Sequence, residues 1–201
     1  MNILQDTTKL ALWICKSYLK AGDEAIDCTC GRGNDTLYLA KTCSRVISFD
    51  IQEDAITSAE ELLTENDISW EEFSDANKSY EHKRVVFVKD SHENMSFYTR
   101  FLKCVPKVII FNLGYLPGGD KRITTVAENT VKAVRTAAET VKVGGLICIT
   151  MYPGHNEGRK ECEAVKEFAR SLKKDEFHCI CTDMLNQSAD APQILWITKK
   201  K

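Results

Sequence analysis

The sequence predicts an α/β fold in which a mostly parallel sheet is covered by helices on both faces. Three observations predict it. The strand-like runs are short, β-branched and apolar on both faces, as strands buried from two sides must be. They alternate with helical patterns, the signature of βαβ units. The last two strand-like runs have no helix between them, so one of them should run antiparallel. In order, 7–20 is a helix by the spacing of Leu10, Trp13, Ile14 and Tyr18, ended by Gly22. Strand 24–28, helix 34–42, strand 45–50 and helix 53–65 follow. Residues 66–83 read as a long polar connection holding Trp70 and Phe73. Strand 84–90, helix 92–103, strand 107–111, helix 124–142, strand 145–152, helix 158–173 and strands 177–184 and 193–199 complete the chain. That makes seven strands in one domain, 1–201, with no repeat, linker or low-complexity tract.

Composition narrows the function classes. The net charge of −2 advertises no global basic field, which leaves only a local patch for nucleic acid. No apolar run approaches the ~18 residues of a membrane span. Nine cysteines, an odd number at scattered spacing, argue against a disulfide framework and for a reducing cytoplasm. The C-x-C pairs 28/30 and 179/181 lack zinc-site spacing, and no metal is expected.

In open α/β sheets ligands sit beyond the carboxyl ends of the strands. The first strand exit reads "DCTCGRGNDT" (27–36). Gly31 and Gly33 permit a sharp turn and a close backbone approach, and Asn34 or Asp35 can cap the next helix. Asp27, Thr29 and Thr36 complete the loop. Asp50 ends the second strand, where a carboxylate can accept both ribose hydroxyls, and Gln52 follows. The third exit offers Asp90, Ser91 and His92 beside an adenine ring. Each could be a plain helix cap; together, at successive strand ends, they point to a nucleoside cofactor. Position 36 is Thr, so the third glycine of the dinucleotide pattern is missing. Asp27 and Asp35 add negative charge to the loop, which suits a zwitterionic amino acid beside a sulfonium. S-adenosylmethionine fits better than NAD.

The fourth exit, "FNLGYLPGGDKR" (111–122), is too apolar for an ordinary connector. Its Asn-x-x-Tyr register matches the N-P-P-Y loop of amino-group methyltransferases. Asn112 could hold the N–H bonds of a nitrogen nucleophile and aim its lone pair at a methyl carbon. Tyr115 could stack on a flat base. Leu113 and Leu116 would exclude water, with Gly114 letting the chain pass close. The fifth exit, 151–161, brings His155 as a base or substrate contact. Lys121, Arg122, Arg159 and Lys160 on these two loops form a local basic patch suited to phosphates. A patch this small leaves room for a homodimer in which one subunit grips RNA for the other.

The runs "AIDCTCGRGNDTLYLA", "SFDIQEDAI", "DSHENM", "FNLGYLPGGDK" and "MYPGHNEGRKECEAV" resemble the MnmM (YtqB) family over nearly the whole chain. The resemblance implies a class I S-adenosylmethionine-dependent methyltransferase of Rossmann-like fold. It implies tRNA as partner, through its anticodon stem-loop, and methylation of the primary amine of 5-aminomethyl-(2-thio)uridine at wobble position 34. By motif, Gly31, Gly33, Asn34, Asp35, Asp50, Gln52, Ser91 and His92 would bind cofactor, and Asn112, Tyr115 and His155 would face substrate. Position 34 is Asn where relatives often carry His, and the 66–83 connection is longer than usual. Transfer would be direct and in line, with no metal and no covalent intermediate. Three alternatives stay open: an rRNA or other base as acceptor, a non-catalytic cofactor- or RNA-binding protein, and an NAD enzyme.

Overall fold

The computed structural model describes residues 3–80, 82–114 and 125–201. Among these residues eight strands form one sheet: β1 (Glu24–Asp27), β2 (Arg45–Asp50), β3 (Trp70–Glu72), β4 (Val85–Lys89), β5 (Val108–Asn112), β6 (Leu146–Met151), β7 (Phe177–Thr182) and β8 (Gln193–Lys199). Their order is β3-β4-β2-β1-β5-β6-β8-β7. All neighbours are parallel except β8, which runs antiparallel to both β6 and β7. The reversal in order between β2-β1 and β1-β5 creates a crevice above the carboxyl ends of β1 and β5, the switch point of an open sheet.

The helices are α1 (Thr7–Tyr18), α2 (Asn34–Ala40), α3 (Glu53–Glu65), α4 (Met95–Tyr98), α5 (Ala127–Thr140) and α6 (Asn156–Ser171). Period-2 alternation in the strands feeds two cores. Ala25, Val46 and Ile110 pack under α1, α2 and α3, whereas Ile26, Ile47 and Phe111 pack under α4, α5 and α6. Because both faces are covered, the central strands are buried almost throughout.

Two expectations need correction. The sheet has eight strands rather than seven, because residues 70–72 pair in parallel with β4. Aromatic anchoring explains this: Trp70 meets Phe87 edge-on at 6.0 Å, and Phe73 packs on Tyr80, Tyr98 and Phe101. Phe73 N–H also donates to the Phe87 carbonyl at 2.7 Å. The supposed single helix 92–103 is instead a 3-10 turn, one α turn and another 3-10 turn. Asn94, Ser96, Tyr98 and Thr99 are weak helix formers. The aromatic cluster of Phe97, Tyr98 and Phe101 fixes the segment through packing instead.

Among the described residues no helix is long and apolar enough to cross a membrane. All nine cysteines are free. Among those residues, too, no group of three or more His, Cys, Asp or Glu side chains could hold a metal ion.

Candidate active site

The four parallel strands β1, β2, β4 and β5 end in one crevice. The turn after β1 passes through Gly31 (φ +53°) and Gly33 (φ +80°), a conformation that side-chain-bearing residues rarely adopt. Gly33 is demanded by packing as much as by the turn. A Cβ there would lie 2.7 Å from the Ala59 Cβ of α3. Gly33 is also the N-cap of α2, and no side chain caps that helix. Asn34 and Asp35 therefore do not cap; they occupy the first turn of α2, where a carboxylate suits the helix dipole.

The loop is held from three sides. Asp27 accepts Thr29 N–H at 3.1 Å and the Thr36 hydroxyl at 2.6 Å, and Thr36 is 2.8 Å from Ser48 Oγ. Asp50 accepts Gly31 N–H at 2.9 Å and Gln52 N–H at 3.0 Å. Thr29 Oγ1 in turn accepts the backbone N–H of Asn112 at 2.6 Å. Gln52 caps α3 with its backbone only.

Charge is the unusual feature here. Asp27 is fully buried, and burial, reinforced by the nearby Asp35 charge, pushes its carboxyl up to about 7. Burial pushes Asp35 up to about 6, against the hydrogen bond from Asn112. Asp50 is raised too, again by burial. No Lys or Arg among the described residues forms an ion pair with any of the three. Buried carboxylates without a cation suit a positively charged ligand.

At the β4 exit, the Asp90 carboxylate is occupied internally. It accepts Ser91 N–H (2.7 Å), Asn94 Nδ2–H (2.9 Å) and the Tyr98 hydroxyl (2.9 Å). Ser91 caps the 3-10 turn by accepting Glu93 N–H at 3.4 Å. His92 lies edge-on to Phe111, with Nδ1 3.0 Å from the Cys28 carbonyl. Burial lowers its pKa, so the ring is neutral, and the Cys28 carbonyl selects the tautomer with the proton on Nδ1. Its buried Nε2 is then a bare acceptor with no hydrogen-bond partner among the described residues.

Asn112 closes β5, and its Nδ2 donates to Asp35 Oδ2 at 3.4 Å. That bond orients the amide, turning Oδ1 into an available acceptor. Beside it stands Tyr152, which follows β6. Burial pushes its phenol up, while hydrogen bonding with the Thr8 and Asn112 side chains acts the other way. Neither Tyr152 nor Thr8 was among the residues expected from the sequence. Tyr152 belongs to the 151–161 loop, of which the sequence reading singled out His155. Thr8 gives no signal, because only the fold brings α1 to this strand end.

Several expected residues have other duties. Leu113 is a core residue, 3% exposed, with its N–H donating to the Thr150 carbonyl. His155 caps α6 by accepting Gly158 N–H on Nδ1 at 3.1 Å, which occupies one of the two ring nitrogens a base could use. Arg159 bonds Asp190 (3.1 Å) and the Pro153 carbonyl, and Lys160 pairs with Glu157 at 2.8 Å. Those two cations are thus matched by acids rather than forming a bare patch. Gly114 (φ +125°) is stitched to Thr125: its N–H donates to Thr125 Oγ1 at 2.9 Å and its carbonyl accepts Thr125 N–H at 3.0 Å. Thr125 Oγ1 then donates to buried Glu161. Tyr115, Leu116, Lys121 and Arg122 lie outside the described residues.

Residues 46–198 match the family model described as "Putative rRNA methylase". The chain is 34% identical to the chloroplastic tRNA (mnm(5)s(2)U34)-methyltransferase of Arabidopsis thaliana, across 96% of this chain and 69% of that protein. It is 34% identical to a crystal structure of a "putative rRNA-methylase" from Clostridium thermocellum, with a TM-score of 0.84 over 96% and 97% of the two chains. A Streptococcus mutans methyltransferase solved with S-adenosylhomocysteine is 28% identical, with a TM-score of 0.81 over 96% and 98%. The strand exits are those of the class I methyltransferase fold. The chain belongs to the MnmM (YtqB) family, whose model carries the older rRNA methylase description, and is an S-adenosylmethionine-dependent methyltransferase.

Proposed function

We propose that the protein methylates the primary amine of 5-aminomethyl-(2-thio)uridine at the wobble position of tRNA. The observation that carries this reading is the Asn112 side chain at the end of β5, whose Nδ2 donates to Asp35 Oδ2 at 3.4 Å and leaves Oδ1 as the acceptor end of the amide. S-adenosylmethionine supplies an electrophilic methyl group on a positively charged sulfur. Gly31, Gly33, Thr29 and the first turn of α2 would line the cofactor's amino-acid end. The charges of Asp27 and Asp35 would favour its cationic groups, and the region of Asp50 and Gln52 its ribose. Ser91 and His92 would face the base. The bare Nε2 of His92 can accept only from a donor such as an exocyclic amine.

Toward the acceptor, Asn112 Oδ1 would take one amine N–H and so direct the nitrogen lone pair. Tyr152 would steady that amide, since the Asn112 side chain acts on its phenol. The amine must be neutral to attack. A carboxyl at about 6, such as Asp35, is too weak a base to deprotonate an alkylammonium fully. Asp35 is therefore not the group that deprotonates the amine. Tyr115 remains the proposed stacking partner of the base. The name of the Arabidopsis relative supports the acceptor. The free cysteines fit the reducing cytoplasm expected from the sequence.

The test is incubation with S-adenosylmethionine and tRNA from cells lacking the modification, then nucleoside mass spectrometry. The expected product is methylaminomethyl-uridine at the expense of the aminomethyl form. Methyl transfer to rRNA alone would overturn the acceptor assignment.

A further inference from the structure

The helix α1 carries a face that the site chemistry does not use. From Thr7 to Gly22 the chain holds three lysines and no acidic residue, within a protein of net charge −2. Offsets of four and three residues place Lys9, Trp13 and Lys16 along one side of the helix, and Lys20 follows the extended Leu19 that ends it. All four are exposed, while Ala11, Cys15 and Leu19 on the other side are buried against the sheet. Trp13 is 51% exposed, a large indole that packing inside the chain does not account for.

Neighbouring α2 extends the face. The Lys16 ammonium lies 5.9 Å from the Tyr38 ring centre, and exposed Lys41 follows the last turn of α2. Lys9 is paired with Asp6 at 2.7 Å. Among the described residues no carboxylate pairs with Lys16, Lys20 or Lys41; Lys41 bonds only the neutral Asn66 side chain. The face also starts at the active site. Lys9 adjoins Thr8, whose side chain acts on the Tyr152 phenol beside Asn112. From Lys9 to Lys16 the helix runs about 10 Å at ~1.5 Å per residue.

We propose that this face docks the RNA strand adjoining the acceptor nucleotide. Its phosphates lie on Lys16, Lys20 and Lys41, and one unpaired base stacks on Trp13. Unmatched lysines interleaved with an exposed aromatic suit a polyanion with flat bases better than a second copy of this acidic chain. The Arg159–Lys160 corner, with its cations already matched, is the weaker candidate. The proposal rests on the reading of the acceptor as tRNA.

The test compares the full-length protein with a Lys16→Glu/Lys20→Glu/Lys41→Glu variant and with Trp13→Ala. The probe is tRNA carrying the unmethylated aminomethyl-uridine, and binding is followed by anisotropy across salt. The triple variant should bind tRNA roughly tenfold or more weakly, with a salt slope shallower by about 2. Trp13→Ala should weaken binding with an unchanged slope. In both, KM for tRNA should rise while kcat, melting temperature and S-adenosylhomocysteine affinity stay at wild-type values. Wild-type affinity and slope in both variants would overturn the docking face alone. Retained tRNA affinity with a changed solution mass would assign the face to a second copy and also overturn it. A wild-type protein that neither binds nor methylates tRNA would overturn the acceptor reading, and this proposal with it.

Discussion

Replacing Glu161 with alanine should cost both stability and turnover. Its side chain is 3% exposed and ties three segments together. Oε2 accepts the Thr125 hydroxyl at 2.8 Å, and Oε1 accepts the Thr130 hydroxyl of α5 at 2.5 Å. Thr125 passes the constraint on to Gly114, two residues beyond Asn112, through two hydrogen bonds. A hydrogen bond to a charged acceptor contributes about 1.5–3 kcal/mol, and the cost of burying the carboxylate offsets part of two such bonds. Burial indeed raises the Glu161 pKa, with the two threonine bonds opposing it. A net loss of about 2–4 kcal/mol is expected for Glu161→Ala. In a chain of this size that lowers Tm by about 4–15 °C in a calorimetric scan. Glu161→Gln keeps one acceptor oxygen and should lose about half as much. The pH dependence adds a signed check. A carboxyl raised on folding stabilises most below its unfolded pKa, and that contribution is lost as pH rises through the folded value. The gap between wild type and Glu161→Gln should therefore narrow from pH 4 to pH 8. An unchanged Tm and unchanged kcat for Glu161→Ala would refute the anchoring argument.

Other outcomes follow from the same geometry. Cofactor affinity should fall as pH drops from 8 to 5, because a cationic ligand binds the ionised forms of Asp27 (about 7) and Asp35 (about 6). Calorimetry in buffers of different ionisation enthalpy should show proton release on binding near pH 6; no release would sink the electrostatic role of these two acids. Gly33→Ala should lower stability by about 2 kcal/mol or more, since positive φ and a 2.7 Å approach to Ala59 both oppose a methyl group. An unaltered melting curve would contradict the close packing of α2 on α3. Tyr152→Phe should cut kcat roughly tenfold, about 1.4 kcal/mol of transition-state stabilisation, with little change in Tm. A uniform loss of stability with normal kcat would make Tyr152 merely structural.

The parallel architecture and the strand exits were legible because they depend on local, periodic patterns. Asp50, Gly31 and Asn112 lie at strand ends that apolar runs mark directly. What escaped depends on contacts between distant segments. Residues 70–72 form an eighth strand because Trp70 meets Phe87 and the following Phe73 packs on the 97–101 aromatics, and no run of alternating residues announces it. Thr8 reaches Tyr152 because α1 packs across the sheet. His155 and Arg159 showed the converse problem. Their residue types suggested chemistry, but a helix needing a cap and an aspartate 31 residues away engaged them first.

The β1–α2 loop and the Asn112 amide are one hydrogen-bonded unit, which on the proposed function has a kinetic consequence. Thr29 accepts Asn112 N–H at 2.6 Å while its own N–H donates to Asp27, and Asp35 holds the Asn112 side chain. Any ligand that orders residues 27–36 therefore also orders Asn112. Thr29→Val keeps side-chain shape but deprives the Asn112 N–H of its acceptor, a loss of about 1–3 kcal/mol. In the wild type, S-adenosylhomocysteine should tighten tRNA binding, and tRNA should tighten S-adenosylhomocysteine binding by the same factor, about 5-fold or more. In Thr29→Val that factor should shrink toward one, with kcat reduced and the affinity for S-adenosylhomocysteine alone nearly retained. Titrations of each ligand in the presence and absence of the other measure it. If Thr29→Val preserves the coupling in full, the link between cofactor loop and Asn112 is not the path by which the two sites communicate.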